Sequence, residues 1–272
     1  MPELPEVETV RKALEKAVIN KKIVDIFHGN RGLRFPFPYQ FKKRVIGKTI
    51  LKPRRIGKYC ILPLNSNEKI LLHLGMSGKI RILDKKPKLG DHDHMLMTLE
   101  DETYILLTDP RRFGFVDIIE GNEKSNKFLK ILGPEALSNA FNKEYFYNFV
   151  KNKERNIKSI LLDQSTVAGL GNIYVNEVLF ISRISPKRKG KNISMKKCSN
   201  LVTNIKVLLL SAIEEGGTTI KDHLQPDGTL GYFKIKLRVY GKTKSKCFIC
   251  GSLIKEIKQL GRTSYYCGKC QN

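Results

Sequence analysis

The chain has 272 residues, 41% of them hydrophobic, enough for a large core and for more than one domain. Fifty Lys and Arg against 26 Asp and Glu give a formal net charge of +24, an excess that points to a polyanionic partner, nucleic acid before membrane. No run reaches the ~18 apolar residues of a membrane-spanning helix, the N-terminus lacks a basic-then-apolar leader pattern, and the chain is expected inside the cell with its thiols reduced.

The first predicted element is a helix from Pro5 to about Ile19. Val7, Val10, Leu14, Ala17 and Val18 share one face, opposite Glu8, Arg11, Lys12, Glu15 and Lys16. The residues that open the chain, Met1-Pro2-Glu3-Leu4-Pro5-Glu6, admit two readings. Pro5 and Glu6 are good first-turn residues, and alone they indicate only a helix start. Removal of Met1 would instead leave Pro2 as a secondary amine. An α-amino group titrates near ~7.7–8.0, and a neutral amine can condense with an aldehyde to give an iminium. Glu3 is then the nearest proton donor.

From Ile23 to about Ile119 the pattern changes to short β runs, including Cys60–Leu64, Ile70–Leu74, Met95–Leu99 and Tyr104–Leu107. Their even spacing predicts a sandwich or a barrel. Three loops in this region stand out. Gly75-Met76-Ser77-Gly78 presents one apolar side chain between glycines. Asp91-His92-Asp93-His94 resembles metal ligands, and strand alternation would put both histidines on one face, but no further His or Cys set accompanies them. Asp109-Pro110-Arg111-Arg112-Phe113-Gly114 sets two arginines beside an aromatic; it is a hairpin turn in isolation, or a base-contacting loop in a nucleic-acid binder. Lys58 reads as a surface lysine by default, and Cys60 and Cys198 as isolated structural thiols.

Gly121-Asn122 begins a polar stretch, and Gly133-Pro134 marks a domain boundary. From about Asn142 to His223 the pattern is helical, best over Ile157–Leu162, Asn172–Ile181 and Ser199–Glu215. Gly169-Leu170-Gly171-Asn172 is an abrupt turn into the second of these. It serves as a plain cap or as a phosphate-binding helix start. A loop follows over Gln225–Tyr232. Near the end, Cys247-x-x-Cys250, sixteen residues and Cys267-x-x-Cys270 have the spacing of two zinc knuckles around a hairpin, the alternative being a redox pair or disulfides, which reduced thiols inside the cell disfavour. Arg262 lies at its tip, suited to a phosphate.

Taken together and in order, these motifs resemble the bacterial formamidopyrimidine-DNA glycosylases, of the Fpg/Nei family. Besides the segments above, the resemblance runs through His73-Leu74, Gly216-Gly217-Thr218-Thr219, Lys221-Asp222 and Val239-Tyr240-Gly241, nearly end to end. It implies an α+β multidomain fold: an N-terminal β-sandwich with a flanking helix (1–133), a helical helix-two-turns-helix DNA-binding domain (134–237) and a C-terminal zinc finger with a β-hairpin (238–272). DNA would lie in a cleft between domains.

The resemblance also implies an activity: removal of oxidised purines such as 8-oxoguanine and formamidopyrimidines, followed by strand cleavage by β,δ-elimination. Pro2 would form the Schiff base and Glu3 would donate the proton. Lys58 would assist β-elimination, and Arg262 would assist δ-elimination and bind phosphate. Met76, Arg111 and Phe113 match the residues that fill the gap and contact the orphaned cytosine. His73, His92, Lys153, Lys158 and Asn172 fall at DNA-contact positions. Thr218 to Tyr232 matches a loop that covers the flipped base. Cys247, Cys250, Cys267 and Cys270 would hold one structural zinc ion per chain. The expected partner is damaged double-stranded DNA, with no membrane. The expected state is a monomer in the bacterial cytoplasm, drawn to the nucleoid by DNA. The alternatives are an endonuclease VIII-like enzyme for oxidised pyrimidines, disfavoured by Leu4 and by the Met76, Arg111 and Phe113 set, and a non-catalytic zinc protein that binds damaged DNA.

Overall fold

The computed structural model describes residues 2–29, 32–218 and 236–271. Its chain separates into two compact units. One comprises the described residues of Met1–Lys130 and Ile213–Lys234, the other those of Ile131–Ala212 and Ile235–Asn272.

The first unit opens with α1 (Leu4–Val18). Leu4, Val7, Val10, Leu14 and Val18 recur at helical spacing and are all buried. Glu6 reaches back to accept the N–H of Glu3 at 2.9 Å, closing a capping box at the first turn. Eight strands follow: β1 (Ile23–His28), β2 (Arg54–Ile56), β3 (Tyr59–Pro63), β4 (Glu68–His73), β5 (Lys79–Leu83), β6 (Asp93–Leu99), β7 (Tyr104–Thr108) and β8 (Phe115–Glu120), with the short α2 (Phe41–Val45) between β1 and β2. They form two four-stranded sheets, β2-β3-β4-β8 and β1-β6-β7-β5. Every pairing is antiparallel.

The inner faces alternate as a half-buried sheet requires. Cys60 and Leu62, Ile70 and Leu72, and Val116 and Ile118 come from one sheet; Ile23 and Ile26, Met95 and Met97, and Ile105 and Leu107 come from the other. With the apolar face of α1 they form one continuous core. The expected sandwich is therefore the architecture found, rather than a closed barrel. Cys60 and Cys198 are buried and unbridged, and burial pushes both thiols up to about 12.

The second unit contains α3 (Lys143–Val150), α4 (Ile157–Leu162), α5 (Asn172–Ile181), α6 (Met195–Glu214) and a hairpin of β9 (Ile254–Gln259) and β10 (Arg262–Cys267). Asparagine side chains cap two of the helices: Asn142 accepts from Tyr145 N–H and Asn156 from Ser159 N–H, both at 2.8 Å. The hairpin has only a small core of its own, where Val239, Cys247, Ile254 and Cys267 pack with Phe180 of α5. Among the described residues no helix is long and apolar enough to cross a membrane. The loop expected over Gln225–Tyr232 lies outside the described residues.

Candidate active site and nucleic-acid interface

In the first unit, Pro2 and Glu3 are buried at the start of α1. Glu6 fixes this end with both carboxylate oxygens. Its Oε2 accepts from Glu3 N–H, while its Oε1 accepts from the N–H of Thr218 at 2.8 Å and the hydroxyl of Thr218 at 2.9 Å. A buried carboxylate with several donors is a strong tie because each bond is charge-assisted.

Two residues further along α1, Glu8 ion-pairs with Arg55 at 2.9 Å, and Arg55 also donates to the carbonyl of Gly57 at 2.9 Å. Gly57 has a φ of +57°, which suits glycine in the tight turn from β2 to β3. Lys58 follows directly and is largely buried. The start of the chain and Lys58 are thus each tied to the same helical turns. The sequence reading missed Glu6, Glu8 and Arg55, because each looked like an ordinary charged helix or strand residue.

His73 ends β4. Its ring stacks on Phe115 at 5.2 Å and leans on Tyr59 at 4.9 Å. Burial, then the positive charges of Lys58 and Arg34, push it down from 6.5 to about 4. Its Nδ1 accepts from Gly75 N–H at 3.2 Å. The neutral ring therefore carries its proton on Nε2, as a donor without net charge.

The loops bearing Met76, Arg111 and Phe113 come together. Met76 is 40% exposed and Phe113 43%, and the exposed Arg111 lays its guanidinium over the Phe113 ring at 4.9 Å. An exposed apolar side chain beside a cation and an aromatic ring offers flat, polarisable surface that suits a stacked base.

The two histidines of the Asp91–His94 run do not share a face. His92 is exposed in the turn before β6, whereas His94 is buried within β6, its Nε2 2.9 Å from the carbonyl oxygen of Asp109. A pairing irregularity between Asp93 and Met95 breaks the alternation. Among the described residues the only cluster able to hold a metal is the four cysteines.

In the second unit, the turn between α4 and α5 is shaped by Gln164. Its amide accepts from Gly169 N–H at 3.0 Å and donates to the Leu170 carbonyl at 2.8 Å. Gly169, at a φ of +107°, makes the reversal. Asn172, the first residue of α5, donates to the Thr263 carbonyl at 3.1 Å, and Asn176 accepts from Tyr265 N–H at 2.7 Å. Lys158, expected among the DNA contacts, is only 1% exposed. Its ammonium donates to the Thr263 carbonyl at 2.8 Å and to Ser264 Oγ at 2.7 Å. Three side chains from α4 and α5 therefore hold β10, leaving Arg262 exposed at the hairpin tip. Lys153 is exposed, with its ammonium over the Phe149 ring at 5.3 Å.

Glu177, which the sequence reading passed over, is buried in α5 and accepts the N–H groups of Arg238, Val239 and Tyr240 at 2.7, 2.9 and 2.7 Å. It moors the segment that leads into the cysteine hairpin. In the sequence it is one of two polar residues, with Asn176, in the Val175–Ile181 stretch.

The four cysteine sulfurs lie within 4.8 Å of one another, with Cys247–Cys270 at 3.9 Å and Cys250–Cys267 at 3.5 Å. Four thiolates ~2.3 Å from one tetrahedral zinc stand about 3.8 Å apart, so the cluster fits the ion. Cys247, Cys250, Cys267 and Cys270 form the zinc-binding site expected from their spacing.

Comparison with known proteins agrees along the chain. Residues 1–116 match the family model for the formamidopyrimidine-DNA glycosylase N-terminal domain, 132–223 that for the formamidopyrimidine-DNA glycosylase H2TH domain, and 244–272 that for the zinc finger found in FPG and IleRS. The chain is 43% identical over 290 residues to a formamidopyrimidine-DNA glycosylase of Bartonella quintana, and 41% identical over 272 residues to that of Wolbachia pipientis wMel, with all of both chains covered in each case. Among solved structures it is similar to a Lactococcus lactis FPG mutant in complex with Fapy-dG-containing DNA, at 36% identity and a TM-score of 0.91 over 99% of each chain. It is also similar to the MutM (Fpg) protein of Thermus thermophilus, at 33% identity and a TM-score of 0.90 over 99% of this chain and 98% of that one.

Proposed function

The chain belongs to the formamidopyrimidine-DNA glycosylase family, and from that membership and its site we propose that it excises oxidised purines from double-stranded DNA and cleaves the strand left behind. The observation that carries this reading is the buried start of α1. Glu6 holds Glu3 there, next to the buried Pro2, and the turn bearing Lys58 is tied to the same helix through Glu8 and Arg55.

The chemistry follows from residue types. The Pro2 nitrogen, freed by loss of Met1, gives its lone pair to C1′ of the damaged nucleotide. The bond from C1′ to the base breaks, and the base leaves with the proton that the Pro2 nitrogen sheds on bonding to C1′. Glu3 supplies the proton that opens the sugar, and the nitrogen becomes an iminium. The iminium acidifies C2′, so loss of a C2′ proton expels the 3′ phosphate; a second elimination expels the 5′ phosphate. Lys58 is assigned to assist the first elimination and Arg262 to bind phosphate during the second.

His73, His92, Lys153, Arg111 and Asn172 are assigned to DNA. His73 fits as a neutral Nε2–H donor, and Asn172 sits where a helix N-terminus favours an anion. The buried Lys158 acts by holding β10 in place. Met76, Arg111 and Phe113 fill the gap left by the flipped lesion, offsetting an unstacking cost of a few kcal/mol. We assign residues 1–133 to the catalytic sandwich, 134–237 to the helical DNA-binding domain and 238–272 to the zinc finger. The protein works as a monomer in the bacterial cytoplasm, at the nucleoid.

The test sets a duplex with 8-oxoguanine opposite cytosine beside one with thymine glycol. Preferential cleavage of the first supports the reading. Preference for thymine glycol would transfer the protein to the endonuclease VIII class, and tight binding without cleavage of either would make it a non-catalytic binder.

A further inference from the structure

The loops carrying Met76 and the Arg111–Phe113 pair are separate in sequence, yet one buried side chain joins them. Asp109 is 0% exposed. Its Oδ1 accepts from the Ser77 hydroxyl at 2.5 Å and, at 3.3 Å, from the N–H of Arg111. Its Oδ2 accepts from Gly114 N–H at 2.7 Å. The Arg111 N–H also reaches Ser77 Oγ at 3.2 Å. One carboxylate thus bonds the residue after Met76, the backbone of Arg111 and the residue after Phe113.

The backbones of the two loops are also in direct contact. A Cβ on Gly75 would lie 2.3 Å from the backbone nitrogen of Gly114, and one on Gly114 would lie 2.7 Å from the carbonyl oxygen of His73. Glycine is required at both places, and neither loop can shift without displacing the other. The Asp109 carbonyl is in turn held to His94 in β6.

We propose that Asp109 is a positioning residue for lesion recognition. It makes the Met76 loop and the Arg111–Phe113 loop one rigid body, so that filling the gap and checking the opposite base occur as a single event. This rests on the gap-filling and base-reading roles assigned above to Met76, Arg111 and Phe113. Both oxygens are needed. Asparagine has the same shape but one acceptor oxygen, so its NH2 must face either the Arg111 side or the N–H of Gly114, and the loop on that side is released.

Asp109→Asn, Ser77→Ala, Met76→Ala and Arg111→Ala are compared on three substrates: 8-oxoguanine opposite cytosine, 8-oxoguanine opposite adenine, and a single-stranded oligonucleotide with a preformed abasic site. Asp109→Asn should lower duplex excision opposite cytosine by roughly tenfold or more, the scale of one lost charge-assisted hydrogen bond. It should narrow the preference for cytosine over adenine. Borohydride trapping on the single strand, which needs no gap filling, should persist. Ser77→Ala, which leaves the carboxylate and the fold in place, should give a smaller change in the same direction. Combined with Met76→Ala, Asp109→Asn should cost less than the product of the two separate effects, because the Met76 loop is already released.

If Met76→Ala and Arg111→Ala leave duplex excision and base preference intact, the gap-filling reading fails and the proposal falls with it. If those variants behave as expected but Asp109→Asn and Ser77→Ala keep wild-type preference, or Asp109→Asn multiplies independently with Met76→Ala, the positioning role alone is overturned. Equal losses by Asp109→Asn on all three substrates would also overturn it, in favour of a general folding role.

Discussion

Replacing Glu177 with glutamine keeps the shape of the side chain and removes one acceptor. In the native protein Oε1 serves Val239 and Tyr240 while Oε2 serves Arg238. The glutamine carbonyl can replace Oε1, which leaves its NH2 facing the N–H of Arg238 in a buried site. One hydrogen bond to a charged group is lost and a donor is stranded, a cost of about 2 kcal/mol. For a chain of this size that corresponds to a melting temperature lowered by roughly 4–8 °C. Burial raises the Glu177 carboxyl above its usual range, against the opposing pull of the three N–H groups. With a folded pKa above the unfolded one, its titration contributes stability that is fully present below the unfolded value and is lost as pH rises through the folded value. Glutamine removes that slope. Thermal denaturation followed by circular dichroism across this pH range, with zinc release recorded by a chromogenic chelator, measures both effects. The zinc hairpin should loosen first, because Glu177 holds the segment leading into it. An unchanged melting temperature together with unchanged zinc retention would refute the mooring role.

Purification without chelator should yield one zinc per chain by elemental analysis, and stripping it should unfold the hairpin and weaken DNA binding while the β-sandwich keeps its melting transition. His73→Phe keeps the stack on Phe115 without a titrating ring. Because the folded value of His73 is about 4 against 6.5 ordinarily, the native chain should lose stability as pH falls through that window, and the variant should show a flatter acid profile in denaturant titrations. Arg262→Ala should weaken lesion and undamaged duplex alike and lower the slope of log affinity against log salt by about 1, whereas Asn172→Ala, a neutral donor, should weaken binding with little change in slope. Fluorescence anisotropy at several salt concentrations separates the two.

The regular elements were legible because apolar spacing is a local signal. The helices over Ile157–Leu162 and Asn172–Ile181 have the bounds the pattern gave, and the first begins one residue early, at Leu4. The last helix starts at Met195 rather than Ser199, because its first turn, Met195-Lys196-Lys197-Cys198, buries only Cys198 and carries no periodicity. The zinc site was legible for the same reason, since both knuckles are short. The supports of the site were not. Glu6 finds Thr218 across 212 positions, and Glu177 finds Val239 across 62. A single carboxylate with a distant backbone partner leaves no pattern in the sequence. Lys158 was placed with the DNA contacts by motif position alone, and only its burial against Thr263 and Ser264 reveals its support of β10.

The most direct test of the proposed chemistry is borohydride trapping on a duplex with 8-oxoguanine opposite cytosine, followed by peptide mass mapping of the adduct. An iminium requires a free amine at Pro2. The expected result is one covalent adduct on the N-terminal peptide, absent from a protein extended by a few residues before Pro2. An adduct on Lys58, or full trapping by the extended protein, would contradict it.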